Sequence, residues 1–100
     1  MAIRKVIEFE AFDVAEHLRT PKEMAAYLDT SIAESGGDSA FIAKALGDIA
    51  RVQGMSKVAR AAGLSRESLY RALSGGRRPD FATILKVIRP LGMRLHANTA

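Results

Sequence analysis

The residues best suited to proton transfer or metal binding are two histidines, His17 and His96, far apart in the chain. Neither sits in a ligand pattern such as His-Glu-x-x-His, and no glycine loop of phosphate-cradling form occurs. There is no cysteine, which excludes a disulfide framework, a thiolate zinc site and a cysteine nucleophile together. The chain is therefore not expected to be an enzyme: no catalytic residue, metal set or cofactor is assigned, and each histidine reads as a surface or packing residue. The residue types that can do chemistry here are cations and short hydroxyls. They crowd into one stretch: Ser56, Lys57, Arg60, Ser65, Arg66, Ser68, Arg71, Ser74, Arg77 and Arg78, with Glu67 and Tyr70 among them. A guanidinium fork bridges O6 and N7 of guanine, a carboxylate accepts from the cytosine amino group, and hydroxyls suit phosphates or base edges. That chemistry is recognition of a polyanion rather than bond making.

The charge distribution points the same way. The chain of 100 residues carries a formal net charge of +4, with a pI near 9.9. Residues 1–50 hold 5 basic and 9 acidic side chains, a net of −4, whereas residues 51–100 hold 10 basic and 2 acidic, a net of +8. One half is suited to a polyanion and the other to something different, although two solvated faces of opposite sign would give the same count. Hydrophobic residues at 48% and charged residues at 26% fit one globular domain, small enough that oligomerisation is a natural way to bury more surface. No run longer than six residues lacks Lys, Arg, Asp and Glu, so no transmembrane helix is expected. The N-terminus has no apolar run behind Arg4 and Lys5, so no secretory signal is read and a cytoplasmic location is expected.

The elements that must position these side chains are helices. Ile3, Lys5, Ile7 and Phe9 alternate as in a short edge strand over residues 3–12, and Asp13 with Glu16 can start one helical turn. Thr20-Pro21-Lys22-Glu23 is a capping box with proline at the first helical position, which predicts a helix from Pro21 to about Ala33. Glu34 to Gly37 ends it. Asp38 caps a second helix with Phe41, Ala45 and Ile49 in one row and Ile42, Leu46 and Ala50 in the next, ending before Gly54. Ser56 starts a short third helix with Val58, Ala59 and Ala62 inward, and Ser65 caps a fourth with Leu69, Ala72 and Leu73 inward. Asp80 caps a last helix with Phe81, Ile84, Leu85 and Ile88 inward. Pro90 removes a backbone donor from its final turn, so the helix should stop near Arg89. The tail alternates Met93, Leu95 and Ala97 as a short strand would.

The spacing around Gly63 carries the functional signal. Two short helices meet at a three-residue turn, Gly63-Leu64-Ser65. Ala59 is small where the helices would cross, Gly63 suits a left-handed backbone, and Leu64, Leu69 and Ala72 would plug the wedge. This is the helix-turn-helix arrangement, whose second helix enters the major groove; an ordinary helical hairpin shares its apolar pattern. The outward residues favour the first reading. Arg66, Glu67, Ser68 and Arg71 are the candidate base readers. Ser56, Lys57, Arg60, Ser65, Tyr70, Ser74, Arg77 and Arg78 are the candidate phosphate contacts, joined by backbone amides at the helix starts near Ser56, Ser65 and Asp80. Glu67 can instead pair with Arg71 at i, i+4, and Tyr70 can stack on the DNA backbone or pack against the following loop.

Residues 38–92 resemble a five-element phage-repressor-type, Cro-like helix-turn-helix domain. The runs from Leu46 to Ser56, Gly63 to Ser74 and Pro79 to Val87, with Ala-Glu-His-Leu and Ala-Ala-Tyr-Leu between Asp13 and Leu28, resemble the HigA-like addiction-module antidote proteins over about residues 12–95. Pro90 departs from the Ala or Lys expected at that position. The resemblance implies an all-α fold of five helices with an extra N-terminal helix. It also implies an antitoxin that neutralises a small basic toxin of the RelE/ParE type and represses its own operon by binding double-stranded operator DNA. Three regions follow: residues 1–37 as candidate toxin contact, 38–92 as the DNA-binding domain and 93–100 as a candidate dimer contact. Homodimers are common among such proteins, and the last helix is a second candidate for the dimer seam. A stand-alone repressor without a toxin would show the same recognition face. A pure interaction module that no longer binds DNA would not need Arg66, Arg71, Arg77 and Arg78 exposed.

Overall fold

The computed structural model describes residues 18–76 and 78–100, and the strand expected over residues 3–12 and most of the turn after Asp13 lie outside them. Among the described residues the fold is all-α: α1 Pro21–Ser35, α2 Ser39–Gln53, α3 Met55–Ala62, α4 Arg66–Ala72 and α5 Phe81–Ile88. The count of five includes α1, with four helices in residues 38–92. No strand is present among the described residues, so the tail from Met93 on has no regular secondary structure where its alternation suggests a strand.

Local chemistry sets most of the boundaries. Thr20 Oγ1 accepts from the Glu23 amide at 3.1 Å while the Glu23 carboxylate accepts from the Thr20 amide at 3.1 Å. This capping box fixes the start of α1 as expected. The helix runs two residues past Ala33 and stops only at Gly36, which takes the left-handed conformation. Asp38 caps α2 by accepting from the Ala40 amide at 3.0 Å. The start of α3 differs from expectation. It begins at Met55, with Gly54 as a cap that has no side chain to offer, so Ser56 lies within the first turn instead of capping it.

α1 packs on α2, α2 on α3, and α3 on both α4 and α5. One core joins them. Leu18, Leu46, Ile49, Val58, Leu69, Leu73, Val87 and Leu91 are fully buried, with Met24 and Leu28 adding the inner face of α1. Gln53 ties three segments at the edge of this core: its Nε2 donates to the Leu91 carbonyl at 2.8 Å and lies 3.0 Å from the Met24 sulfur.

Two inward faces are corrected. On α2 the buried stretch runs from Ala43 to Ala50, so Ala45 and Ile49 are buried but Phe41, in the first turn, is exposed. On α5, Phe81 is 67% and Leu85 47% exposed, and the stripe that meets α3 is Ile84, Val87, Ile88 and Leu91. Both stripes have helical spacing, because α5 is apolar nearly all round, and periodicity alone does not choose between them. Pro90 acts as expected: the helix ends at Ile88, with Arg89 as its cap. The Leu91 amide still reaches the Val87 carbonyl at 3.2 Å, and a left-handed Gly92 closes the turn.

Candidate nucleic-acid interface

The turn between α3 and α4 is built by hydrogen bonds to the last carbonyls of α3. Gly63, at φ 72°, donates to the Arg60 carbonyl at 3.2 Å, and the Leu64 amide donates to the Ala59 carbonyl at 2.9 Å. These two bonds form the Schellman closure that glycine permits without strain. Ser65 then starts α4 by accepting from the Ser68 amide at 3.0 Å. Val58, Ala59, Leu69 and Leu73 are buried between the helices, and Leu64 and Ala72 are half-buried, so the inner face agrees with the spacing.

A residue that the spacing did not flag fixes the far end of α4. Gly47, in the middle of α2, lies so close to Leu73 that an added Cβ would stand 2.5 Å from the Leu73 carbonyl oxygen. Only a residue without Cβ lets the backbone at the end of α4 approach α2 this closely. A glycine inside a strongly helical stretch was the available signal. The neighbouring residue was also missed. Asp48 accepts from the Tyr27 hydroxyl at 2.7 Å and from Arg51 at 2.6 Å, pinning α1 to α2. Consecutive residues of α2 therefore hold α4 on one side and α1 on the other.

The outer face of α4 is open. Arg66, Glu67, Tyr70 and Arg71 are exposed and, with Ser74, line one shallow depression of about 500 Å³. Among the described residues the one ion pair is Arg51–Asp48, so the alternative pairing of Glu67 with Arg71 does not form. Tyr70 is 60% exposed. Lys57 and Arg60 are exposed on α3, Ser56 is exposed in its first turn, and Arg78 is exposed after the loop; Arg77 lies outside the described residues.

The serines split from the cations. Ser65 Oγ donates to Ser68 Oγ at 2.8 Å, and Ser74 Oγ donates to the Arg71 carbonyl at 3.1 Å while accepting from the Gly76 amide at 3.2 Å. Their hydroxyls therefore hold the ends of α4 in shape, whereas Arg66, Glu67 and Arg71 beside them have no side-chain partner among the described residues. Asp80 caps α5 by accepting from the Thr83 amide at 2.8 Å. Hydrogen bonds from the Thr83 side chain and backbone, with Lys86 nearby, hold its carboxyl below the ordinary carboxylate range. The start of α3 is the basic-half helix start without a side-chain cap. His96 is exposed and His17 lies outside the described residues. No described helix is long and apolar enough to cross a membrane.

Fold and face together define a class: a small all-α protein that presents a helix whose exposed Arg66 and Arg71 have no partner among the described residues, beside a tight glycine turn. The chain belongs to the family described as "Probable addiction module antidote protein", which matches residues 8–99. It is 47% identical over 87 residues to a protein of Haemophilus influenzae described as uncharacterized, covering 87% of this chain and 88% of that one. No solved structure matches the chain significantly.

Proposed function

We propose that the protein is the antidote of a toxin–antitoxin pair, neutralising a small basic toxin of the RelE/ParE type and repressing its own operon in the cytoplasm as a DNA-bound homodimer. Family membership supports the antidote role. The observation that carries the DNA role is the outer face of α4, where Arg66 and Arg71 stand exposed with no partner among the described residues. A helix so placed after a short turn suits the major groove, with Lys57, Arg60 and Arg78 reaching the flanking phosphates. The uncapped first-turn amides of α3, beside Ser56 and Lys57, suit a phosphate as well. On the acidic side, α1 exposes Asp29 and Glu34 while burying Met24 and Leu28. Its outer face is the surface offered to a basic toxin. Phe81 and Leu85 form the apolar stripe that a two-fold partner would cover.

Co-expression with the adjacent small reading frame, pulling on a C-terminal tag, tests the pair. The expected result is a stoichiometric small basic partner that is toxic alone and is lost from an Asp29→Lys/Glu34→Lys variant. Surface substitutions test this better than truncation, because loss of α1 and the residues just before it would take Leu18, Met24 and Leu28 out of the core. In gel shifts on the protein's own promoter, Arg71→Ala should cost about 1–3 kcal/mol and relax one base position, and Lys57→Ala should weaken all sequences alike. No partner but tight promoter binding would leave a stand-alone repressor, and equal losses on specific and random DNA for both variants would remove the division of roles.

A further inference from the structure

Glu67 is the one acidic side chain between Asp48 and Asp80, and it stands in the middle of the most basic stretch of the chain. A carboxylate there costs affinity for any polyanion, because it repels phosphate. The simplest structural reason for it, an ion pair with Arg71 one turn on, does not hold: the two share one open depression without pairing. Glu67 is exposed, makes no hydrogen bond through its side chain among the described residues, and contributes nothing to the core. Its neighbours Ser65 and Ser68 are occupied with each other. The Glu67 carboxylate therefore has no partner among the described residues and shares its depression with Arg66 and Arg71.

Resting on the DNA reading above, we propose that Glu67 is a specificity-determining residue that selects a cytosine in the operator half-site. The major groove presents two amino donors, N4 of cytosine and N6 of adenine. Adenine N6 lies beside the N7 acceptor, whose lone pair repels a carboxylate, whereas cytosine presents no acceptor on that edge. A carboxylate thus prefers cytosine, and the corresponding amide, which both donates and accepts, prefers adenine. Arg71 lies four residues along the same face, about 6 Å at 1.5 Å per residue. At about 3.4 Å per base pair that places the guanine suited to Arg71 within roughly two pairs of the cytosine. Glu67 therefore gives up general attraction to DNA in exchange for discrimination at one position.

Selection from a library of randomised duplexes at fixed salt tests this with the full-length wild type, Glu67→Gln and Glu67→Ala. The wild type should enrich cytosine at one position by about tenfold over the other bases. Glu67→Gln should change that position to adenine and Glu67→Ala should flatten it, with every other position kept. Both variants should bind random DNA more tightly than wild type. Recovery of one identical site by all three proteins overturns the assignment. So does a change that falls at the base pair which Arg71→Ala relaxes, since Glu67 would then act only by orienting Arg71. If the wild type enriches nothing, and Arg71→Ala and Lys57→Ala leave binding unchanged, the DNA reading fails and takes this assignment with it.

Discussion

Gly47 sits mid-helix, where glycine is normally a cost of about 1 kcal/mol relative to alanine. Alanine would recover that propensity but would set its Cβ 2.5 Å from the Leu73 carbonyl oxygen. The obstacle is backbone, so relief requires α4 to move, and overpacking of this kind costs about 1–3 kcal/mol. The steric loss outweighs the gain. Gly47→Ala should lower the melting temperature by about 4–8 °C per net kcal/mol lost, as thermal unfolding would measure. It should also weaken promoter binding, because α4 is the element displaced. The residues of the outer face were legible because Arg, Ser and Glu at helical spacing state their chemistry directly. Gly47 and Asp48 were not, because what they touch, Leu73 and Tyr27, is brought near only by the tertiary fold.

Helix starts were the most legible elements, since each depends on a residue and its neighbours within a turn. Thr20, Asp38, Ser65 and Asp80 all accept from a backbone amide at the expected place. The start of α3 escaped because Gly54 caps it by conformation, not by a side chain. The facing of α5 escaped because two apolar stripes compete on one helix, and only contact with α3 decides between them. Asp80 gives this element a pH signature. Its carboxyl is held low in the folded state, so its stabilising contribution is complete above the ordinary carboxylate range, near about pH 4. The contribution is lost as pH falls through the lower folded value. Asp80→Ala should therefore melt below wild type at pH 7, and the gap should close in acid, which parallel melts from pH 7 down to pH 2 would show.

Across the whole molecule the charge asymmetry becomes a salt dependence. A dimer that neutralises about six phosphates should show a log–log slope of binding against salt near −5. Lys57→Ala removes one contact from each protomer and should reduce that slope by about 2, as titrations at several salt concentrations would measure. Arg51 adds nothing to this count, since Asp48 already holds it at 2.6 Å. The sequence divided the chain into an acidic half and a basic half, and among the described residues the cations of the basic half lie at the surface. That division does not describe the core, where Met24 and Leu28 of α1 lie in one cluster with Leu69 of α4 and with Leu73 just beyond it.

The Gln53 side chain, bonded to the Leu91 carbonyl and lying against Met24, has a consequence for turnover of the protein. It fastens the first described helix to the turn after the last one. A protease that cuts at the exposed Gly36–Gly37 link would sever α1 from the rest of the chain, and Met24 and Leu28 would then be held in the core by non-covalent contacts alone.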